Sequence, residues 1–547
     1  MKKLLTIWSI GLLLFSCDNS SSSTGESAVV IQSISEASLK NHVQVLASDD
    51  FQGRKPFTEG ETKTINYLTD QFKSYGLEPG NNGSYVQEVP MVELTAMPSE
   101  TMVVSGGSNE VVLNLLEDFV VYTEKVVDEV SLDASELVFV GYGVVAPEYD
   151  WNDYEGLDVK GKTVVVLVND PGFASGDSTF FKGETMTYYG RWTYKYEEAA
   201  RQGAAGCLII HETVPAGYGW SVVRNSWSGA SLYLDQSGAV DQSEVLGWIT
   251  RKAAIKVFEA SDVDMKNYAE KSRSRDFQAE SLGLNASVSV KNKIAKDKSQ
   301  NVVANITGSE KPDEYIIYSA HWDHLGISQE IDGDSIYNGA HDNASGTATL
   351  LGIAEAMSKM DQPKRSVVFL AVTAEEQGLL GSKHYAQNPI YPPNKTVANI
   401  NMDGITAWGP MKDLTVVGYG QSELEDIAEA IAKKQGRYII PDPDPGKGYF
   451  FRSDHFQFAK VGIPALYASG GYEHMTKGVA YVDSLNKVYL NTQYHRPQDE
   501  YSDSWTYDGM ALDGQLLLEV GNQIANSNEW PKWKKGSEFK SIRDQDK

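Results

Sequence analysis

The chain has 547 residues, of which 41% are hydrophobic and 10% aromatic, so it can build more than one folded core and is not a disordered chain. Its formal net charge of −26 and its pI near 4.8 argue against binding to nucleic acid, whose phosphates would repel it. We therefore expect a globular protein of two or more domains with no nucleic-acid partner.

The amino terminus has the order of an export signal. Lys2 and Lys3 precede an apolar run over residues 4–15, which is too short to span a bilayer of roughly 30 Å. The run ends at Cys17, and a polar, serine-rich stretch follows. This order resembles a bacterial lipoprotein signal, which implies a signal peptide over residues 1–17 and a lipid on Cys17 that anchors the chain to a membrane. Ordinary secretion with an incidental cysteine is the alternative. Both predict an exported protein, and lipidation predicts one in the cell envelope (periplasm or cell surface).

Apolar periodicity predicts the elements that follow a flexible tether over residues 18–32. Residues 35–46 and 62–75 have helical spacing, with a polar loop at 48–54 between them, and residues 85–92 and 102–104 have strand character. Two histidines on predicted helices, His42 and His384, are expected to face solvent.

Residues 115–264 differ in character from their surroundings. Strands are predicted over 136–142, 163–168 and 203–210, with a helix at 197–202. The motifs "GYG", "DVKGKTVVVLV" and "AARQGAAGCLII" resemble a protease-associated domain, a β-rich, non-catalytic insert found in several peptidase families. Cys207, inside the last motif, is expected to be a small buried residue.

Further strands are predicted over 282–290, 300–306 and 462–467, and helices over 423–435 and 513–527. In residues 319–403, several apolar runs are each followed by a His, Asp or Glu, either at the last position of the run or just after it. Functional groups of open α/β sheets gather at the carboxyl ends of strands, so we expect these side chains to meet.

Imidazole and carboxylate together form a ligand set that suits Zn²⁺. A hydrolytic two-metal site needs a bridging carboxylate, and Asp342 suits this role because it is short and precedes a helix start. Of the adjacent pair Glu375 and Glu376, one can bind metal while the other acts as general base.

The motifs "HWDHLG", "GAHDNASGTATLL", "TAEEQGLLGS", "NMDG", "SDHFQFAKVGIPAL" and "YHRPQDE" resemble, in order and spacing, the co-catalytic di-zinc aminopeptidases. That metallopeptidase family also contains glutamate carboxypeptidases and glutaminyl cyclases. The resemblance implies an α/β fold with a mixed, mostly parallel sheet flanked by helices. It also implies two zinc ions, peptide substrates and Glu375 as general base and acid.

The resemblance further implies a ligand set, with two ligands for each zinc ion and one that bridges. His321 and Asp403 would bind one ion, Glu376 and His495 the other, and Asp342 both. Asp323 and Asp499 are expected to orient these ligands. The residues expected to line a substrate cleft are Arg452, His455 and His474.

The predicted layout is therefore a catalytic domain, residues 33–114 and 265–535, interrupted by the insert at 115–264 and followed by a polar tail at 536–547. The predicted function is release of N-terminal residues from peptides. A carboxypeptidase or dipeptidase of the same family, which would need a cationic subsite such as Arg452, is one alternative, and a non-catalytic peptide-binding protein is another. The sequence leaves the oligomeric state open.

Overall fold

The structure is a computed structural model that describes residues 32–173, 175–227, 229–236 and 242–545. The predicted signal peptide, its Cys17 and residues 18–31 of the tether lie outside the described residues. Within the part of the chain that is described, no helix combines the length and apolar character that crossing a membrane requires.

The helices vary from single turns to one of 19 residues. They are α1 Glu36–Leu46, α2 Glu59–Ser74, α3 Trp192–Arg201, α4 Thr213–Ala216, α5 Trp220–Ser226, α6 Arg251–Ala260, α7 Met265–Lys271, α8 Ser345–Ser358, α9 Leu380–Gln387, α10 Leu424–Lys434, α11 His455–Lys460, α12 Val479–Thr492, α13 Asp508–Asn526 and α14 Lys540–Gln545.

The strands are β1 Glu78–Pro79, β2 Val86–Pro98, β3 Thr101–Ser105, β4 Val111–Asn114, β5 Phe119–Tyr122, β6 Glu129–Phe139, β7 Val145–Ala146, β8 Trp151–Asn152, β9 Thr163–Leu167, β10 Gly206–His211, β11 Ala230–Leu234, β12 Val245–Thr250, β13 Glu280–Ile306, β14 Lys311–His321, β15 Gly326–Ile331, β16 Asp334–Tyr337, β17 Arg365–Val372, β18 Thr396–Asn401, β19 Asp413–Val417, β20 Tyr438–Pro441 and β21 Ala465–Gly470.

The main sheet is built around four parallel strands in the order β17, β14, β18, β21. The end of β13 pairs antiparallel with β17 on one side, and β19 pairs antiparallel with β21 on the other. Strands β17 and β18 are buried along their whole length, as expected of parallel strands covered on both faces. Helices α1, α2, α8 and α13 share a core with one face, and α9 and α11 pack on the other. The predicted α/β class with a mixed, mostly parallel sheet is confirmed.

The predicted insert contains its own parallel layer. Strands β6, β9, β10 and β12 pair in parallel, and β5 pairs antiparallel with β12. The hydrophobic core of this region extends beyond residues 115–264, because side chains from Met102 to Leu113 and from Leu282 to Val290 belong to it. Buried Cys207 lies in this region, as expected. The assignment as a protease-associated domain stays a prediction.

A single strand joins the two regions. The sequence predicts separate strands over 282–290 and 300–306, but β13 runs without a break for 27 residues. The polar residues between them, 291–299, remain extended because each pairs antiparallel with a residue of β2. This stretch lacks apolar character because its side chains are largely exposed. It still forms a strand, since backbone pairing does not require buried side chains.

The two regions also meet through aromatic side chains. Tyr188 of the insert packs against Phe451, Phe456 and Phe539 with ring centroids 5.3–6.4 Å apart. The predicted polar tail, residues 536–547, contributes to this contact in its described part, since Phe539 is buried. Lys182 of the insert forms a 2.8 Å ion pair with buried Glu538.

The first helix agrees with its pattern except at one residue. The side chain of Ser35 caps α1 by accepting the amide of Ser38, and the predicted apolar face is buried. His42 is buried as well, at 2% exposure, and the expectation that it faces solvent is wrong. Its Nδ1 lies 2.7 Å from the Tyr67 hydroxyl and its Nε2 lies 3.0 Å from that of Tyr75. Hydroxyls on α2 and the chain after it thus satisfy a buried ring, which lies at helical spacing on the same face as Leu39, Val43 and Leu46.

Candidate metal centre

The parallel strands deliver the predicted ligands to one edge of the main sheet. His321 is the last residue of β14, Glu375 and Glu376 follow the end of β17, and Asp403 follows the end of β18. Because neighbouring parallel strands end at the same edge, residues separated by more than 80 positions in sequence come into contact.

His321 and Asp403 lie together. His321 Nε2 is 3.3 Å from Asp403 Oδ1 and 3.4 Å from Asp342 Oδ1. Ligand atoms of His321, Glu375 and Asp403 all fall within 4.8 Å of one another. These residues form one half of the candidate site.

His495 and Glu376 form the other half. His495 Nε2 is 3.1 Å from Glu376 Oε2 and 3.3 Å from Asp342 Oδ2. The two oxygens of Asp342 therefore face different halves, one towards His321 and one towards His495. This is the position that a bridging carboxylate requires.

These distances fit a pair of zinc ions. Two ligand atoms that each lie about 2.0–2.1 Å from a tetrahedral zinc ion are separated by about 3.3 Å. The nitrogen-to-oxygen separations given above run from 3.1 to 3.4 Å. The donor set, imidazole and carboxylate, is one that zinc accepts. The buried or half-buried acidic residues that meet here, and whose mutual repulsion a cation would relieve, are Asp323, Asp342, Glu375, Glu376 and Asp403.

Glu375 differs from Glu376 in its surroundings. His324 Nδ1 lies 2.6 Å from Glu376 Oε1, so both oxygens of Glu376 have imidazole partners. These imidazoles hold the pKa of Glu376 at about 2, against burial and the nearby charge of Asp342. Burial raises the pKa of Glu375 well above its usual range, and the charges of Asp403 and Glu376 add to the effect. Glu375 is thus the member of the pair suited to carrying a proton.

Asp323 and Asp499 hold the backbone on which the ligands sit. Asp323 accepts the amides of Glu375 and Glu376 at 3.0 and 3.4 Å. Its Oδ1 is 3.8 Å from His321 Nδ1, and burial raises its pKa to about 7.

Asp499 acts in the same way on the opposite side of the site. Its carboxylate accepts the amides of His341 and Asp342 at 2.9 and 3.0 Å. Both predicted orienting residues are therefore in contact with ligand-bearing backbone.

Sequence reasoning missed Asn343 and Arg54. The Asn343 side chain donates to Met402 O at 3.0 Å and accepts the Gly404 amide at 3.0 Å, which fixes the segment on both sides of Asp403. The only signal for Asn343 was its place directly after Asp342.

Arg54 lies behind the site with 1% of its surface exposed. Its guanidinium donates to the backbone carbonyls of Trp322, Leu46, Asn338 and Gly339, at distances of 2.6–2.9 Å. Burial lowers its pKa to about 10, and the neighbouring carboxylates oppose this. Nothing in the polar-looking segment 48–54 distinguishes this arginine from a surface one.

The predicted cleft residues occupy different environments. His455 is fully buried between Phe450 and Tyr467, and this burial lowers its pKa to about 3. His474 is buried, and its Nδ1 accepts the amides of Thr476 and Lys477, so it stabilises a turn.

Arg452 is half-buried and its guanidinium lies 5.4 Å from the Tyr449 ring. Two positions further on, Asp454 is buried, and His321 and Asp403 affect its pKa. Among the predicted cleft residues, Arg452 is therefore the one that remains partly open to solvent.

Comparison with known proteins gives matches of two kinds. The chain is 35% identical over 127 residues to "Aminopeptidase NAALADL1" of Mus musculus, an alignment that covers 22% of this chain and 16% of that protein. It is 32% identical over 144 residues to a "Probable zinc metalloprotease" of Pyrenophora tritici-repentis, with 26% and 29% covered. The chain thus spans less than a third of the length of these curated relatives.

Solved structures align over a larger share of the chain but at lower identity. An aminopeptidase from Aneurinibacillus sp. strain AM-1 is 21% identical, with 91% of this chain and 95% of that chain covered and a TM-score of 0.47. BSAP, a zinc aminopeptidase from Bacillus subtilis, is 17% identical, with 93% and 97% covered and a TM-score of 0.42.

Residues 301–518 match peptidase family M28. Every metal-ligand candidate lies in this segment, and so do Asp323, Asp499 and the general-base candidate Glu375. Over these residues the chain is therefore similar to peptidase family M28.

Proposed function

We propose that this protein is a zinc-dependent aminopeptidase that uses two zinc ions and removes N-terminal residues from peptides. The observation that carries the proposal is the arrangement of Asp342, whose two carboxylate oxygens face separate ligand pairs. A structural role for the same residues would not require ligand atoms at zinc-site spacing on both sides of one carboxylate.

Bound zinc would lower the pKa of a water molecule and polarise the scissile carbonyl. In the first half of the reaction, a carboxylate oxygen of Glu375 accepts the proton of the attacking water. In the second half, Glu375 returns this proton to the nitrogen of the leaving amine. Its backbone amide is fixed by Asp323, so the carboxylate stays directed at the site.

The relatives' names support the aminopeptidase reading, since one is an aminopeptidase and another a probable zinc metalloprotease. A carboxypeptidase or dipeptidase of the same family remains the second candidate because Arg452 offers a half-buried cation two residues before Asp454, which interacts electrostatically with His321 and Asp403. A peptide-binding protein without activity is less well supported, because Glu375 and every ligand candidate are present.

The deciding experiment compares aminoacyl-anilides with dipeptides that have a free C-terminus, in the presence and absence of a chelator. We expect release from the anilides, loss of that release with chelator and its return with added Zn²⁺. Glu375→Gln should lower kcat by at least about a hundredfold. Glu259→Gln, on an exposed face of α6, is the matched control and should leave kcat unchanged.

Three results would overturn the proposal. Cleavage restricted to substrates with a free C-terminal carboxylate would favour the carboxypeptidase. Undiminished anilide release by Glu375→Gln would exclude the assigned base. A metal content of one zinc ion per chain in the active protein would contradict the two-ion site.

We also propose, from the sequence alone, that the chain is exported and held at a membrane by a lipid on Cys17. Metabolic labelling with a fatty-acid analogue tests this, since Cys17→Ala should lose the label and release the protein into the soluble fraction.

A further inference from the structure

His495 is the most exposed of the metal-ligand candidates. Its side chain is 38% exposed, whereas the side chains of the other four are 1–17% exposed. Its backbone has a φ of 54°, a left-handed conformation that residues other than glycine seldom adopt. His495 lies between α12 and α13 and not at the end of a strand, so its position depends on the contacts of its own ring and of its neighbours in sequence.

The ring of His495 contacts other aromatic side chains. Tyr494 stacks on it, with ring centroids 4.0 Å apart and an interplanar angle of 27°, and the His324 ring lies 5.9 Å away at 72°. A ligand histidine is usually oriented through its second ring nitrogen, and His321 follows this rule, since its Nδ1 lies 3.2 Å from Asp323 O. At His495 the stacked phenol ring restricts the orientation of the imidazole.

Tyr494 is in turn fixed by Tyr489, near the end of α12. The Tyr494 amide donates to Tyr489 O at 2.8 Å, and the two rings lie 5.9 Å apart. Tyr489 is 7% exposed and packs against His341 and Trp408, with ring centroids 4.5 and 6.3 Å away. Its buried hydroxyl has no hydrogen-bond partner among the described residues, so the packing of the ring holds it in place.

His341 connects these rings to the other half of the metal centre. It precedes Asp342, and its ring lies against Gly404, the residue after Asp403, since a Cβ on Gly404 would come within 3.2 Å of His341 Cε1. A continuous row of rings, here called the aromatic column, therefore extends from beside Asp403 to the ligand of the opposite half. The aromatic column consists of His341, Tyr489, Tyr494 and His495.

Helix α12 is anchored by few buried side chains. Its buried residues are Val482 and Tyr489, while Val488 and Leu490, on either side of Tyr489, are 50% and 59% exposed. Most of the stability of a helix in a protein comes from packing of its buried face, so Tyr489 carries much of the contact that holds the end of α12. The position of His495, three residues beyond this end, therefore depends on the packing of one ring.

We propose that Tyr489 and Tyr494 are positioning residues that hold His495 where it binds the zinc ion shared with Glu376. Packing of Tyr489 and stacking of Tyr494 fix the imidazole before the ion arrives, so less conformational freedom is lost on binding. Reciprocity then requires that the bound ion stabilise the packing of α12 by the same factor. This inference rests on the two-zinc site of the proposed function and adds to it that one ion depends on a helix that supplies no ligand.

Zinc affinity, measured by competition with a chelator and by metal content, tests the proposal. Tyr489→Leu and Tyr494→Ala should each weaken the binding of one ion by about 10- to 100-fold and leave the other ion bound as in the wild type. Tyr489→Phe and Tyr494→Phe keep the rings and should keep the wild-type affinity for both ions. Leu490→Ala, at an exposed position of α12, is the control and should also bind both ions normally.

Combination with His495→Ala shows whether the tyrosines act through this ligand. His495→Ala should weaken the same ion, and adding Tyr494→Ala should cause no further loss, whereas independent effects would multiply. Hydrogen exchange gives a readout that does not need turnover. Zinc should slow exchange in residues 479–492 of the wild type, and this slowing should be absent in His495→Ala.

Four results would overturn the inference. They are wild-type affinity for both ions in Tyr489→Leu and Tyr494→Ala, a further loss when Tyr494→Ala is added to His495→Ala, exchange in α12 that zinc does not slow, and equal loss of both ions, which would indicate a general change of the fold. Each of these leaves the proposed function standing if the wild type binds two zinc ions. A wild-type protein that binds fewer than two would refute the two-ion site of the proposed function and this inference with it.

Discussion

Arg54 offers a quantitative test of how the metal centre is supported. Replacement by methionine keeps a long side chain but removes every donor and the charge. The carbonyl oxygens of Trp322, Leu46, Asn338 and Gly339, which now accept hydrogen bonds at 2.6–2.9 Å, would lose their partner in a buried place. The substitution therefore removes the donors but leaves the buried carbonyl oxygens, which still require hydrogen bonds.

The magnitude follows from these contacts. A hydrogen bond to a charged group contributes about 1.5–3 kcal/mol, but bonds that share one side chain do not add. Removing one member of a buried charged contact costs about 3–5 kcal/mol, so we expect Arg54→Met to lower the free energy of unfolding by about 4 kcal/mol. That is a large part of the roughly 5–15 kcal/mol typical of a folded protein.

Urea denaturation followed by tryptophan fluorescence measures this loss. Arg54→Lys should lose about half as much, because an ammonium has three donors and lacks the planar fork. Arg224→Met, at an exposed position, should change stability by no more than about 0.5 kcal/mol. A loss below about 1 kcal/mol for Arg54→Met would refute the reasoning, because the carbonyls would then have found other donors.

Three further changes test other contacts. Asp499→Asn should weaken zinc binding about 10- to 100-fold in a chelator competition, because Asp499 accepts the amides of His341 and Asp342; unchanged affinity would contradict this role. Burial lowers the pKa of His42 from 6.5 to about 4, so stability should be complete above pH 6.5 and fall by about 3 kcal/mol as the pH drops to 4. His42→Gln should flatten this pH dependence, and an identical pH profile would exclude it. Tyr188→Ala removes a ring shared by the insert and the main domain and should raise the rate of limited proteolysis between them, measured by gel electrophoresis; wild-type resistance would show that the remaining contacts suffice.

Much of the main domain could be predicted from the sequence, because its signals are local. Strands β14, β17 and β18 each contain a buried apolar run, and the helical spacing of α1 begins directly after its capping serine. His321, Glu376 and Asp403 lie at or after the ends of these strands, so their approximate place at the sheet edge could be inferred before any contact was known.

The tertiary structure decided what local pattern does not encode. A charged residue in a polar segment has the same pattern whether it faces water or the backbone of a folded site, so Arg54 could not be distinguished from a surface arginine. The continuity of β13 depends on pairing with β2, about 200 residues earlier, and not on its own side chains. Likewise, Tyr188 and Phe456 are separated by more than 250 residues, and only the contact between the insert and the main domain brings them together. The sequence determined which chemical groups this protein carries and which elements hold them, while folding decided which groups meet, because contact between distant residues depends on packing that no local pattern records.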